Sequence, residues 1–218
     1  MIKKLDNMDP QLSEKLEVAK RAIVRVGEGR GFVVEAGRFE RRYVITAAHC
    51  LDPFPNPTSI SHGCERTYRD LLGPCDEQTA ICAECLFADP IGDIAVLGPP
   101  DEDNFREEYR AYEELTESIA ALPISGSVAN GRAWLLSLDK HWFQCDVEIR
   151  GDPKCLIGPL LLSTEKHIEG GMSGSPILSA DGKAIGVLCT AGGTAGGGVH
   201  TVTGPNPQIR SYLPPRLI

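Results

Sequence analysis

The chain has 218 residues, 42% of them hydrophobic and 24% charged, with a net charge of −8. That length suits one large domain or two lobes with a real core, and the composition excludes a disordered chain. The acidic balance argues against nucleic-acid and anionic-membrane binding, and no apolar run approaches the roughly 18 residues of a spanning helix.

The first 24 residues, MIKKLDNMDPQLSEKLEVAKRAIV, scatter charges throughout and contain no apolar core, so they do not read as a secretory signal. The expected location is therefore cytoplasmic, where the eight cysteines stay as free thiols. A secreted form that has already lost its signal stays open as an alternative. Leu12, Leu16, Ala19 and Ile23 recur at helical spacing behind Asp9-Pro10, a cap and first-turn pair. Residues 1–21 are accordingly read as a helical lead-in.

The period then changes. Residues 22–26, 31–36 and 43–48 are short β-branched runs separated by glycine and charge, which predicts a strand meander. The Pro-rich stretch 52–57 is a loop, and strands are expected over 79–88 and 93–97. Residues 101–117 carry eight acids against two arginines, which is most of the net charge. Phe105, Tyr109, Tyr112 and Leu115 fall at helical spacing there, predicting a solvated linker helix over 101–119. A hairpin follows, 133–138 and 141–149, turning at Asp139-Lys140. Strands over 155–163, 175–180, 184–190 and 198–203 come next, with Asp181-Gly182 as a tight turn, before a Pro-rich tail at 204–218. The 23 glycines and 16 prolines fit so many turns. The expected fold class is all-β, with two six-stranded antiparallel barrels: lobe one over about 22–100 and lobe two over about 120–203.

Three islands carry chemistry. Thr46-Ala47-Ala48-His49-Cys50 ends a strand with a histidine, Asp93 opens one, and Gly170-Gly171-Met172-Ser173-Gly174-Ser175-Pro176 sets a serine in a glycine-rich turn. A hydroxyl nucleophile needs a base to take its proton and a carboxylate to orient that base. It also needs backbone N–H donors aimed at the developing oxyanion. Each island alone has an ordinary structural explanation; all three in this order, in extended surroundings, point to acyl transfer.

With TAAHC, DIAVL and GMSGSP in order, 44 and then 80 residues apart, the chain resembles the trypsin/chymotrypsin-like serine peptidases, its SGSP being closer to the bacterial-type branch. The likeness covers about residues 22–203, taken as the peptidase domain, including GRGFVVE, SPILSADGKAIGVL and GVHTVT. It implies a double barrel with the active site between lobes, His49 as general base then acid, Asp93 as its orienting carboxylate and Ser173 as nucleophile. The oxyanion donors would be the N–H groups of Gly171 and Ser173. Met172 stands where the digestive enzymes carry an Asp, and Ala22-Ile23-Val24 runs on from a helix, so their salt-bridge activation switch is not expected. Cys50 occupies a position disulfide-bonded in the animal enzymes, yet residues 29–34 hold no cysteine.

The resemblance also places the substrate pocket at His167, Ile168 and Glu169, with Cys189, Thr190 and Ala191 on the far wall and His200 near the base. Either the two imidazoles receive an acidic or polar side chain, or His200 is a packed strand residue and His167 a solvated one. Without an Asp at position 167 an Arg/Lys preference is not expected, and the histidine near Leu188 used by glutamate-directed members is missing. The glycine-rich run 192–198 lacks a P-loop lysine and a following helix, and reads as a loop rimming that pocket. Cys64, Cys75, Cys82 and Cys85, with His62, suggest half a zinc site. A strand would point Cys82 and Cys85 to opposite faces, however, so no metal and no cofactor is expected. The expected partner is a protein or peptide substrate, with no nucleic acid and no membrane. The rival reading is a catalytically idle binding module, or a protease quiet until an activating protein docks on the acidic helix or on residues 1–21.

Overall fold

The computed structural model describes residues 9–38, 40–53, 66–89, 93–125, 130–149, 159–164 and 168–189. Helix α1 (Pro10–Lys20) starts as its sequence predicts: the Asp9 carboxylate accepts from Gln11 N at 3.0 Å and Pro10 opens the first turn. Leu16 and Ala19 are its buried face. Ile23 fits the same helical spacing but lies, as the β-branched run 22–26 predicts, in strand β1 (Ile23–Val26), the helix ending at Lys20.

Strands β2 (Gly29–Ala36) and β3 (Arg41–Thr46) form the expected meander. Strand β4 (Thr67–Pro74) and β5 (Ile81–Asp89) follow, then β6 (Ile94–Gly98). Their order β1-β2-β3-β6-β5-β4 closes into an antiparallel barrel, since β4 returns to pair with β1. Burial of alternate residues on both faces explains the continuous apolar runs 32–34, 43–45 and 94–97. Val33, Val44, Ala95 and Leu97 point into the barrel, whereas Phe32, Val34, Ile45, Ile94 and Val96 point outward into a second buried cluster.

That second cluster joins the two lobes, because Trp134, Leu136, Leu178 and Val187 belong to it as well. They come from β7 (Gly131–Leu136), β10 (Pro176–Ser179) and the residues around β11 (Ala184–Val187). With β8 (Trp142–Ile149) and β9 (Pro159–Thr164) these strands form an antiparallel sheet ordered β11-β10-β7-β8-β9. The opposite face of this sheet, with Leu135, Phe143, Ile177 and Ile185, makes a third cluster. Lobe two thus has five strands among the described residues; the strand expected over 198–203 lies outside them, as does the tail at 204–218. Leu16 and Ala19 of α1 enter the inter-lobe cluster, and Lys15 of α1 lies against Gly182 of the β10–β11 turn.

Helix α2 spans Arg106–Glu117, shorter than the expected 101–119, because Asp101 organises residues 103–105 as a turn before it. Its buried residues, Tyr112 and Thr116, pack it on the first barrel, with Tyr112 Oη donating to Leu97 O at 3.1 Å. The Arg42 guanidinium donates to the carbonyls of Thr116, Glu117 and Ile119 and so caps the C-terminal end. Among the described residues, no helix is long and apolar enough to cross a membrane.

Candidate active site

Strand register brings the first two islands together. Thr46 of β3 pairs with Ala95 of β6, so the residues just after Thr46 and just before Ala95 emerge at the same end of adjacent strands. Ala48–Cys50 turn there as one short helical turn, with Cys50 N donating to Ala47 O at 3.0 Å. Asp93 sits in left-handed backbone (φ 52°), a conformation that Asp tolerates better than most residues. Its carboxylate then holds His49 at two points: Oδ2 meets Nδ1 at 2.7 Å, and Oδ1 accepts the backbone N–H of His49 at 2.9 Å. The imidazole is thereby fixed in orientation, with Nε2 turned away from Asp93 and toward the Cys50 sulfur at 4.0 Å.

Ser173 arrives from the second lobe on a turn locked by its neighbours. Met172 N donates to Glu169 O at 3.2 Å and Ser175 N to Met172 O at 3.1 Å, while Gly174 N reaches Leu188 O at 2.7 Å. The turn is tied to the first lobe as well, since Arg30 N donates to Ser173 O at 2.7 Å. Gly174 has φ 82°, and a Cβ there would stand 1.8 Å from Arg30 O. Only glycine permits that approach. Arg30 O is itself held by the buried Thr46 hydroxyl at 2.7 Å. Gly171, also at positive φ (89°), precedes the buried Met172. Among the described residues no group accepts the N–H of Gly171 or of Ser173.

Cys50 is where the islands meet, its sulfur 4.0 Å from His49 Nε2 and 3.9 Å from Ser173 O. It is a free thiol. A Cβ on Gly29 would stand 2.6 Å from that sulfur, so the strand residue facing Cys50 has no side chain. The Asp93 hydrogen bond, then the contact with Cys50, pushes the His49 pKa up from 6.5 to about 10, against an opposing effect of burial. The His49 side chain keeps 39% exposure and Asp93 26%, so the pair faces an open site.

Of the residues expected around a substrate pocket, Ile168 packs against the third cluster and Glu169 is exposed. Cys189 is buried with its sulfur 3.4 Å from Asp93 O. His167, Thr190, Ala191 and His200 lie outside the described residues, as do Cys64, His62 and the run 192–198. Cys85 points into the first barrel, whereas Cys82 is only half-buried. Among the described residues, no group of three His, Cys, Asp or Glu could hold a metal. The sequence reading missed Arg30, Thr46 and Gly29 as the residues that seat the nucleophile turn. The only available signal was the Gly29-Arg30-Gly31 triplet opening a strand, where small residues permit close backbone approach.

Residues 29–187 match the family described as the trypsin-like peptidase domain. The chain belongs to that family. No curated protein matches the chain. Among solved structures it is similar to the Rv3671c protease in its inactive form, at 17% identity and a TM-score of 0.46, over 85% of this chain and 86% of that one.

Proposed function

We propose that the protein is a serine endopeptidase working through His49, Asp93 and Ser173. Family membership makes peptide-bond cleavage the expected chemistry, and the two-point grip of Asp93 on His49 carries the residue-level reading. That grip fixes Nδ1 as the donor to the carboxylate, which leaves Nε2 for proton transfer. In this mechanism Ser173 Oγ attacks the scissile carbonyl carbon as its proton passes to His49 Nε2. The oxyanion is received by the N–H groups of Gly171 and Ser173. Collapse breaks the C–N bond, His49 returns the proton to the leaving amine, and water hydrolyses the resulting ester with His49 again as base.

A second reading, a protease held quiet until a partner or substrate docks, draws support from His49. An imidazole with a pKa of about 10 is mostly cationic at neutral pH, so only a small fraction is free to take the Ser173 proton. A fluorophosphonate probe tests both. We expect covalent labelling of wild type that disappears in Ser173→Ala. No labelling at any pH, with the fold intact by circular dichroism, would leave an idle binding module. Fast labelling of the isolated chain at pH 7 would remove the partner-dependent reading.

A further inference from the structure

A cavity of about 400 Å³ lies beside the nucleophile turn, bordered by Gly170 and Gly171 on one side and by Gly29, Arg30, Cys75 and Leu138 on others. Arg30 is its unusual feature. The residue is only 4% exposed, and a buried guanidinium ordinarily has a carboxylate partner. Among the described residues, none lies within salt-bridge distance of it. Nη1 donates to Leu136 O at 2.9 Å and to Ser137 O at 3.1 Å, and these are its side-chain hydrogen bonds. Among the described residues, the buried atoms sealed from solvent without a partner are Trp134 Nε1, Trp142 Nε1 and Ser175 Oγ. Arg30 Nε and Nη2 are not among them and make no hydrogen bond among the described residues, and Arg30 lines the cavity. The cavity's own acids are already engaged: Glu28 pairs with Arg25 at 3.6 Å, and Asp76 pairs with Lys140. Arg30 is therefore a surplus cation with donors to spare, beside the same turn that carries Ser173.

We propose that Arg30 receives a carboxylate side chain of the peptide on the leaving-group side of the scissile bond. This rests on the endopeptidase reading. The side follows from the arrangement around Ser173. The expected acyl-side pocket involves residues 168–169 and 189, and Leu188 borders that flank through its bond from Gly174. Arg30 and Gly29 border the opposite flank, where Arg30 N holds Ser173 O. A glutamate fits the lining: its carboxylate meets the guanidinium in charge-assisted hydrogen bonds, and its methylenes lie along Leu138. That leucine is 39% exposed, and one of its methyl carbons comes within 3.6 Å of where a Gly171 Cβ would stand.

The test compares matched peptides carrying Glu or Gln at the first or second position after the cleaved bond. Cleavage is followed by mass spectrometry beside fluorophosphonate labelling of the same protein. Wild type is expected to favour Glu by about 10-fold in kcat/KM, and Arg30→Gln to bring that ratio to about one whatever its absolute rate. Because Arg30 also bridges the lobes, Leu138→Glu provides a second variant on an exposed side chain. By offering Arg30 a carboxylate of its own, it should also bring the ratio to about one. A wild-type ratio near one, a preference confined to the acyl side, or a preference surviving both variants overturns the assignment to Arg30 while labelling leaves the peptidase reading intact. Wild type without Ser173-dependent labelling overturns both.

Discussion

The two lobes contribute to the candidate site by different physical means. Lobe one supplies His49 and Asp93 from neighbouring strands of a closed barrel, and the Thr46–Ala95 register brings them together. Lobe two supplies Ser173 from a turn whose shape depends on the other lobe, through Arg30 N on Ser173 O and the contact of Gly174 with Arg30 O. Register within a sheet is set by side-chain alternation and resists change. A turn held across an interface is only as well placed as that interface. The acid–base pair should thus tolerate perturbation better than the nucleophile turn.

The sharpest way to break this contrast is Gly174→Ala. Its Cβ would fall 1.8 Å from a backbone carbonyl in left-handed backbone, so either the turn or β2 must move. Overpacking and strain together should cost about 3 kcal/mol, and probe labelling should be lost even where the variant still folds. The His49–Asp93 bond should survive in that variant, read as a downfield imidazole N–H proton by NMR. Normal labelling of Gly174→Ala would show that the turn is not held as described.

Asp93→Asn attacks the other side of the comparison. It should leave the nucleophile turn in place and lower turnover by about 10⁴-fold, because the imidazole loses its orienting acceptor. It should also return the His49 pKa toward 6.5. The sign for stability follows from the raised value. The pair stabilises the folded state fully below pH 6.5, and that contribution is lost as pH rises toward 10. Urea denaturation between pH 6.5 and 10 should therefore show wild type losing stability with rising pH more steeply than Asp93→Asn. Parallel profiles would mean that the carboxylate is not what raises the imidazole.

This difference between the lobes also decides what the sequence could disclose. The first barrel's strands alternate between two buried faces, so β2, β3 and β6 stand out as β-branched runs, and His49 and Asp93 lie at strand ends where punctuation is clear. The α1 start was equally legible from Asp9-Pro10, and its end from the change of period at 22–26, although Ile23 fits the helical spacing as well. The seating of Ser173 was hidden. Arg30 acts through its backbone N–H and carbonyl and Thr46 through its hydroxyl, on a turn more than a hundred positions away in the chain, and only the Gly29-Arg30-Gly31 triplet hints locally at such an approach. Strand β4 was blurred for a related reason: its middle residues, Arg69 and Asp70, are exposed and Asp70 takes positive φ at an irregularity in the β4–β5 pairing.

Cys50→Ala sharpens the comparison with the smallest effect, because Cys50 touches both lobes' contributions. Its sulfur lies near His49 Nε2 and Ser173 O, opposite the side-chain-free Gly29. Its contact is the second cause, after Asp93, of the raised His49 pKa. Removing the thiol should therefore lower that pKa without returning it to 6.5, since the Asp93 bonds persist. The free imidazole is the form that takes a proton from Ser173. The labelling rate plotted against pH should thus keep its shape and shift toward lower pH, so that the variant reacts faster than wild type near pH 7. An NMR titration of His49 should move by the same amount. A coincident pair of profiles would show that Asp93 alone sets the imidazole. A variant that loses labelling altogether would show that the sulfur is needed to seat Ser173, placing Cys50 with the interface rather than with the acid–base pair.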